Sequence, residues 1–157
     1  DAVASYETAL QLSPNRIGAH YQLGLARLLA GEPAEALESM QRESFDVLQL
    51  LGKVLAYHAL GEQALADQLQ AELIASHAED AAYNIGYVLA FRGEIDAAFN
   101  FLEQAVEYGD PGLADIAVEP LFDSLHSDPR WTALLHSLGK TPEQLNAIIF
   151  KVQLPEA

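Results

Sequence analysis

The sequence predicts an all-α solenoid of stacked helical hairpins. Three observations carry that prediction. Ala and Leu dominate a chain that is 50% apolar but only 8% aromatic, and such a mix costs little to order in a helix. Apolar residues recur at i, i+3, i+4 and i+7 in one segment after another. Gly31, Gly61 and Gly93 stand 30 and then 32 residues apart, a period that marks helical hairpins unable to bury their apolar faces singly.

The elements follow in order. Residues 1–12 carry Ala2, Val3, Tyr6, Ala9 and Leu10 on one helical face, and Ser13-Pro14-Asn15 stops the helix. So short a helix is marginal alone in water and needs a neighbour. A second helix spans 16–30 and ends at Gly31, which adopts a left-handed C-terminal conformation without strain. Glu32-Pro33 opens a third, with Ala36, Leu37 and Met40 as its stripe to about residue 42. After a break at 44–46 come helices at 47–60, ended by Gly61, and 62–76. A break at 77–79 leads to the clearest hairpin, 80–92 and 94–108, hinged at Arg92-Gly93. Glu79 and Asp80 read as a helix cap.

From 110 the period fails. A turn at 110–112 and an apolar stretch at 113–118 precede a short helix at 120–126. Ser127-Asp128-Pro129 caps a helix over 130–138 that carries Trp131, Leu134, Leu135 and Leu138 on one face. Thr141-Pro142-Glu143-Gln144 is a capping box for a last helix to 150, followed by an extended tail at 151–157. The predicted organisation is a repeat region at 1–109 and a C-terminal helical cap at 110–157, together one domain.

The chain holds 23 acidic and 8 basic residues, a formal charge of −15. Its basic residues are scattered, which argues against nucleic acid and against an anionic membrane surface. The absence of Cys excludes disulfides and thiolate metal sites and leaves the compartment open. No run reaches the length of a membrane span. A cytoplasmic setting is the expectation. The start at Asp1, inside a repeat, predicts a piece of a longer protein, with room for targeting signals upstream.

The small residues reach a known pattern. A truncated first copy has Ala2, Tyr6, Ala9 and Pro14; a second has Leu23-Gly24, Gly31, Ala36 and Met40. A third has Tyr57, Gly61 and Ala66, with Lys53-Val54 in place of the Leu-Gly pair. A fourth has Ile85-Gly86, Gly93, Ala98, Leu102 and Ala105. This phased set, covering about 1–109, resembles the tetratricopeptide repeat. The resemblance implies a right-handed superhelix, with Gly24 and Gly86 facing small residues of the partner helix. The segment PLFDSLHSDPRW and the following LLHSLG resemble the stretch that often follows the last repeat in large bacterial signalling and regulatory proteins. Trp131 and Phe122 are expected to cover the last hairpin.

In that family the first helix of each hairpin lines a concave groove. The phase places there Gly18, Tyr21, Leu25 and Leu28, then Leu48, Leu51, Leu55 and His58, then Asp80, Tyr83, Tyr87 and Ala90. The implied function is a scaffold that binds a protein or peptide through this groove. Tyr21, Leu25, Leu28, Leu51, Leu55, His58, Tyr83 and Tyr87 are its expected contact residues. The surface has no Lys or Arg, which argues against capture of a peptide's terminal carboxylate. An apolar groove needs a cover in water. A partner segment, the chain's own 148–152, or tight curvature that makes these residues plain core all meet that need. Self-association through the open N-terminal end is an alternative function.

An enzyme is not expected, and no cofactor or metal is implied. The histidines make no i, i+4 pair. His126, His136 and Asp123 in the C-terminal region form the one alternative catalytic set, which requires that they converge in a cleft. Glu35, Glu38, Asp67, Glu72, Asp96 and Glu103 fall opposite the apolar stripes and read as a solvated outer face.

Overall fold

A computed structural model describes residues 2–148; the chain's own segment at 148–152, one of the three alternative covers for the groove, lies, beyond Ile148, outside the described residues. Among the described residues the structure is entirely helical, a solenoid of hairpins with a helical C-terminal region. Helix α1 (Ala2–Leu12) packs on α2 (Ala19–Leu29), which pairs with α3 (Pro33–Gln41). The next hairpin joins α4 (Asp46–Ala59) to α5 (Gln63–His77). The last joins α6 (Ala82–Phe91) to α7 (Ile95–Tyr108). Helix α4 lies against α2, α3 and α6, so the first helices of the hairpins run side by side along one face. Beyond α7 come two 3₁₀ turns, Pro111–Asp115 and Pro120–Leu125, then α8 (Pro129–Ser137) and α9 (Pro142–Asn146).

The turn glycines act as their positions predict. Gly31, Gly61 and Gly93 sit at φ +81°, +81° and +79°, a region open to glycine and strained for other residues. The capping box at Thr141 and Gln144 forms in both directions.

Packing within the hairpins rests on small residues against one large one. A Cβ on Gly24 would lie 2.5 Å from Met40 Cγ, and one on Gly52 would lie 2.6 Å from the same atom. Met40 is fully buried between α2 and α4. Gly86 faces Leu102 in the same way, with 3.2 Å for its absent Cβ. Gly52 was not among the expected packing glycines. It serves the contact between hairpins rather than the one within a hairpin, and so falls outside the repeat's usual phase.

In the third repeat Gln70 stands where the other hairpins place Met40 and Leu102. Its amide oxygen accepts from Arg92 Nη1 at 2.6 Å, and its amide nitrogen donates to Glu94 Oε1 at 3.1 Å. Arg92 also pairs with Asp67. The expected solvated role of Asp67 is therefore only part of the picture. Its carboxylate is exposed, yet it holds the guanidinium of a largely buried arginine across the α5–α6 junction.

Two helices begin under carboxylates far away in sequence. The sequence places the start of the second helix at 16, but α2 begins at Ala19, behind Gly18 at φ +80°. Glu43, only 3% exposed, accepts from Tyr21 N at 3.2 Å, Ser44 N at 2.9 Å and Phe45 N at 3.1 Å. At α6 the expected cap, Glu79-Asp80, does not form: the N-cap is Ala81 and makes no side-chain cap bond. Asp110 does that work, accepting from Tyr83 N at 3.1 Å and Gly112 N at 2.8 Å.

Candidate functional site: the concave face

The first helices of the hairpins bring the expected groove residues to one face, and that face is filled. Tyr21, Leu28, Leu51, Leu55, Tyr83 and Tyr87 are all buried, and Leu51 and Leu55 have no exposed surface. Only Leu25 and His58 are partly exposed, and His58 stacks edge-on against Phe91 at 5.8 Å. The expectation of an open aromatic groove is corrected accordingly: these side chains do not present a free surface.

Over Tyr83 and Tyr87 the cover is the second 3₁₀ segment, Pro120–Leu125, which packs on α6. Phe122, fully buried, meets the ring of Tyr83 at 5.5 Å and that of Tyr87 at 6.3 Å, both edge-on. Trp131 backs it at 5.4 Å. Edge-to-face geometry at these distances suits aromatic quadrupoles. Ile116, Leu121 and Leu125 are buried with it. Ser124 donates to the Ala90 carbonyl at 2.6 Å, tying the segment to the last turn of α6. Gly112 lies on the face of Tyr83, where a Cβ would come within 2.3 Å of Cδ1.

A polar string runs through this core. The hydroxyls of Tyr21 and Tyr87 are 2.5 Å apart, and Asn84 Nδ2 donates to Tyr87 at 2.9 Å. Burial pushes the Tyr21 phenol well up, with Tyr87 adding to the effect. Burial pushes Tyr87 up to about 12, against its hydrogen bonds from Tyr21 and Asn84. Tyr83 is raised by burial and then by Glu119. All three are neutral phenols at physiological pH. Burial also raises Glu119, with Asp115 adding to it and the amide of Leu121 opposing it. For Glu43 burial acts upward, but the backbone amides of Gly18, Phe45, Tyr21 and Ser44 outweigh it and the pKa is lowered.

Open space survives at the edges of the filled face. The larger cleft, of about 510 Å³, lies between the start of α4 and the α5–α6 turn. Phe45, Val47, Leu48, Leu51, Ala81 and Asn84 line it, with Asp46, Asp80 and His77 beside them. Phe45 is 50% exposed. A smaller cleft of about 210 Å³ lies between Tyr6, Leu25 and Leu29 on one side and Glu119, Pro120 and Leu121 on the other. Of the expected contact residues, Leu25 reaches an open cleft with exposed surface, while Leu51 backs the larger cleft but is itself fully buried. Phe45 and Asn84 escaped the sequence reading. Phe45 falls in the break before α4, where no helical phase marks it, though an aromatic beside Ser44 and Asp46 is itself a signal of an exposed anchor.

The His/Asp set is loose. His126 Nδ1 stands 3.8 Å from Asp123 Oδ1, both side chains largely exposed, and the His126 ring rests on Trp131. His136 lies on the separate helix α8. Among the described residues no cluster of His, Cys, Asp or Glu could hold a metal ion, and no helix is long and apolar enough to cross a membrane.

Neither the curated proteins nor the solved structures contain a significant match to this chain. A tetratricopeptide repeat model matches residues 79–108. The match falls on the hairpin that the small-residue pattern marks most clearly, and it supports a relation to that family, whose repeats generally mediate protein–protein interaction and scaffolding.

Proposed function

We propose that the chain is a non-enzymatic scaffold module that docks a protein segment in the cleft between α4 and the α5–α6 turn. The observation that carries this reading is Phe45, a half-exposed aromatic at the mouth of a roomy apolar cleft. Large exposed aromatics beside a concave apolar surface are typical anchors for a partner. The cleft adjoins the concave face on which the family's partner-binding role is centred, and Leu51 belongs to both. The resemblance of the C-terminal region to segments that close repeat arrays supports a place at the partner-binding end of a larger regulatory protein.

Selection of a displayed peptide library on the full chain tests this. Enriched peptides should bind the wild type and lose binding to Phe45→Asp, while far-ultraviolet circular dichroism stays unchanged. Peptides that bind both equally would move the site elsewhere.

A second reading, self-association through α1, is favoured by one observation. No residue of α1 is fully buried, and Leu12 and Ile17 are 84% and 67% exposed. Sedimentation over a concentration series separates the readings; a monomer throughout would remove the second.

A further inference from the structure

We infer that the segment accepted by the Phe45 cleft is a short basic-apolar one: a large apolar side chain flanked by Lys or Arg. The inference rests on the docking reading above and adds the chemistry of the occupant. The apolar lining of the cleft is Phe45, Val47, Leu48, Leu51 and Ala81. Its charged lining is acidic: Asp46 stands at the start of α4 and Asp80 before α6, both exposed. No Lys or Arg lines it. Three other clefts differ in this respect, while the small cleft beside Glu119 shares it at about 210 Å³ against about 510 Å³. The cleft between α1, α2 and α3 includes Arg27 and Arg42, the one between α1 and the start of α2 includes Arg16, and the one between α7 and α8 includes Arg130.

Helix N-termini ordinarily favour anions. Here Asp46 lies in the first turn of α4 and Asp80 just before the start of α6, and two full negative charges outweigh the partial positive charge of those termini. A formal charge of −15 adds a long-range field of the same sign. Such a field speeds the approach of a cation and rejects an acidic segment. An apolar anchor seats on the apolar lining, and flanking ammonium or guanidinium groups reach the two rim carboxylates.

Three fluorescein-labelled hexapeptides test this by anisotropy on the full chain: Lys-Lys-Leu-Phe-Lys-Lys, its Glu-for-Lys counterpart and its Ala-for-Leu-Phe counterpart. The first should bind at least about tenfold more tightly than either other, and its affinity should fall steeply with added salt. Asp46→Asn with Asp80→Asn should cost the first peptide about tenfold while leaving circular dichroism intact. Phe45→Ala should weaken it as well. Equal binding of the acidic peptide, with loss in Phe45→Ala, would overturn the basic preference and leave the docking reading standing. Binding of the basic peptide that is indifferent to the paired Asn variant would also overturn the preference. Failure of all three peptides, or binding indifferent to Phe45→Ala, would overturn both.

Discussion

At Gly112 the aromatic face leaves no room for a side chain. A Cβ there would sit 2.3 Å from the Tyr83 ring, and ring and segment are both held by other contacts. Gly112→Ala should therefore destabilise the fold by roughly 1–3 kcal/mol, as overpacking does, and equilibrium urea unfolding measures it. The tyrosine pair gives a sharper test. Tyr87→Phe leaves the Tyr21 hydroxyl and the Asn84 amide without that partner, so it should cost roughly 1–3 kcal/mol. Tyr21→Phe leaves Tyr87 still bonded to Asn84 and should cost only roughly 0.5–1.5 kcal/mol. The reverse order would show that the string is not arranged as described. At this scale the sequence was partly legible. The phase carried over from the resembled repeat brought Tyr21, Leu51, Tyr83 and Tyr87 to one face. Phe122 was expected over the last hairpin, but the seat of Gly112 on Tyr83 was not readable, because Gly112 belongs to a stretch with no helical period to phase.

Among the elements, helix ends were readable where a local residue sets them and obscure where a distant one does. Gly31, Gly61 and Gly93 end their helices through their own backbone freedom. The starts of α2 and α6 depend on Glu43 and Asp110, each of which follows the second helix of its hairpin. In both hairpins, then, one carboxylate ties the end of the second helix to the start of the first. Glu43 carries a pH consequence. Its folded pKa is lowered, so its contribution is present above the unfolded value near 4.5 and is lost as pH falls toward the depressed folded value. Glu43→Gln should be less stable than wild type at neutral pH, and the gap should close as the solution is acidified through that window. Thermal melts across the acid range measure the gap; a constant gap would mean that the carboxylate charge is not what the amides hold. Glu119 has the opposite sign. Its folded pKa is raised, so its contribution is greatest below the unfolded value and is lost as pH rises through the folded one.

For the whole molecule the repeat period predicts a row of helical hairpins, which the structure has, but the period carries no sign that the row is closed from within. In an open stack each repeat touches only its neighbours, and stability is close to a sum of units and interfaces. Such an array can fray one unit at a time. Here the hydroxyl of Tyr21 on α2 reaches Tyr87 on α6, 66 residues on and two hairpins away. The segment over Tyr83 and Tyr87 continues to Leu121, which shares a cleft with Leu25 and Leu29 of α2. These contacts couple the first hairpin to the third without passing through the second. Unfolding should consequently be a single transition, with Trp131 fluorescence and far-ultraviolet circular dichroism superimposing across urea. Two separated transitions would show that the hairpins come apart in turn. The same long-range contacts raise the mean sequence separation of touching residues, so folding should be slower than for a purely local helical stack. The filled concave face thus converts a modular array into one cooperative unit, in which loss of the last hairpin and loss of the first are the same event.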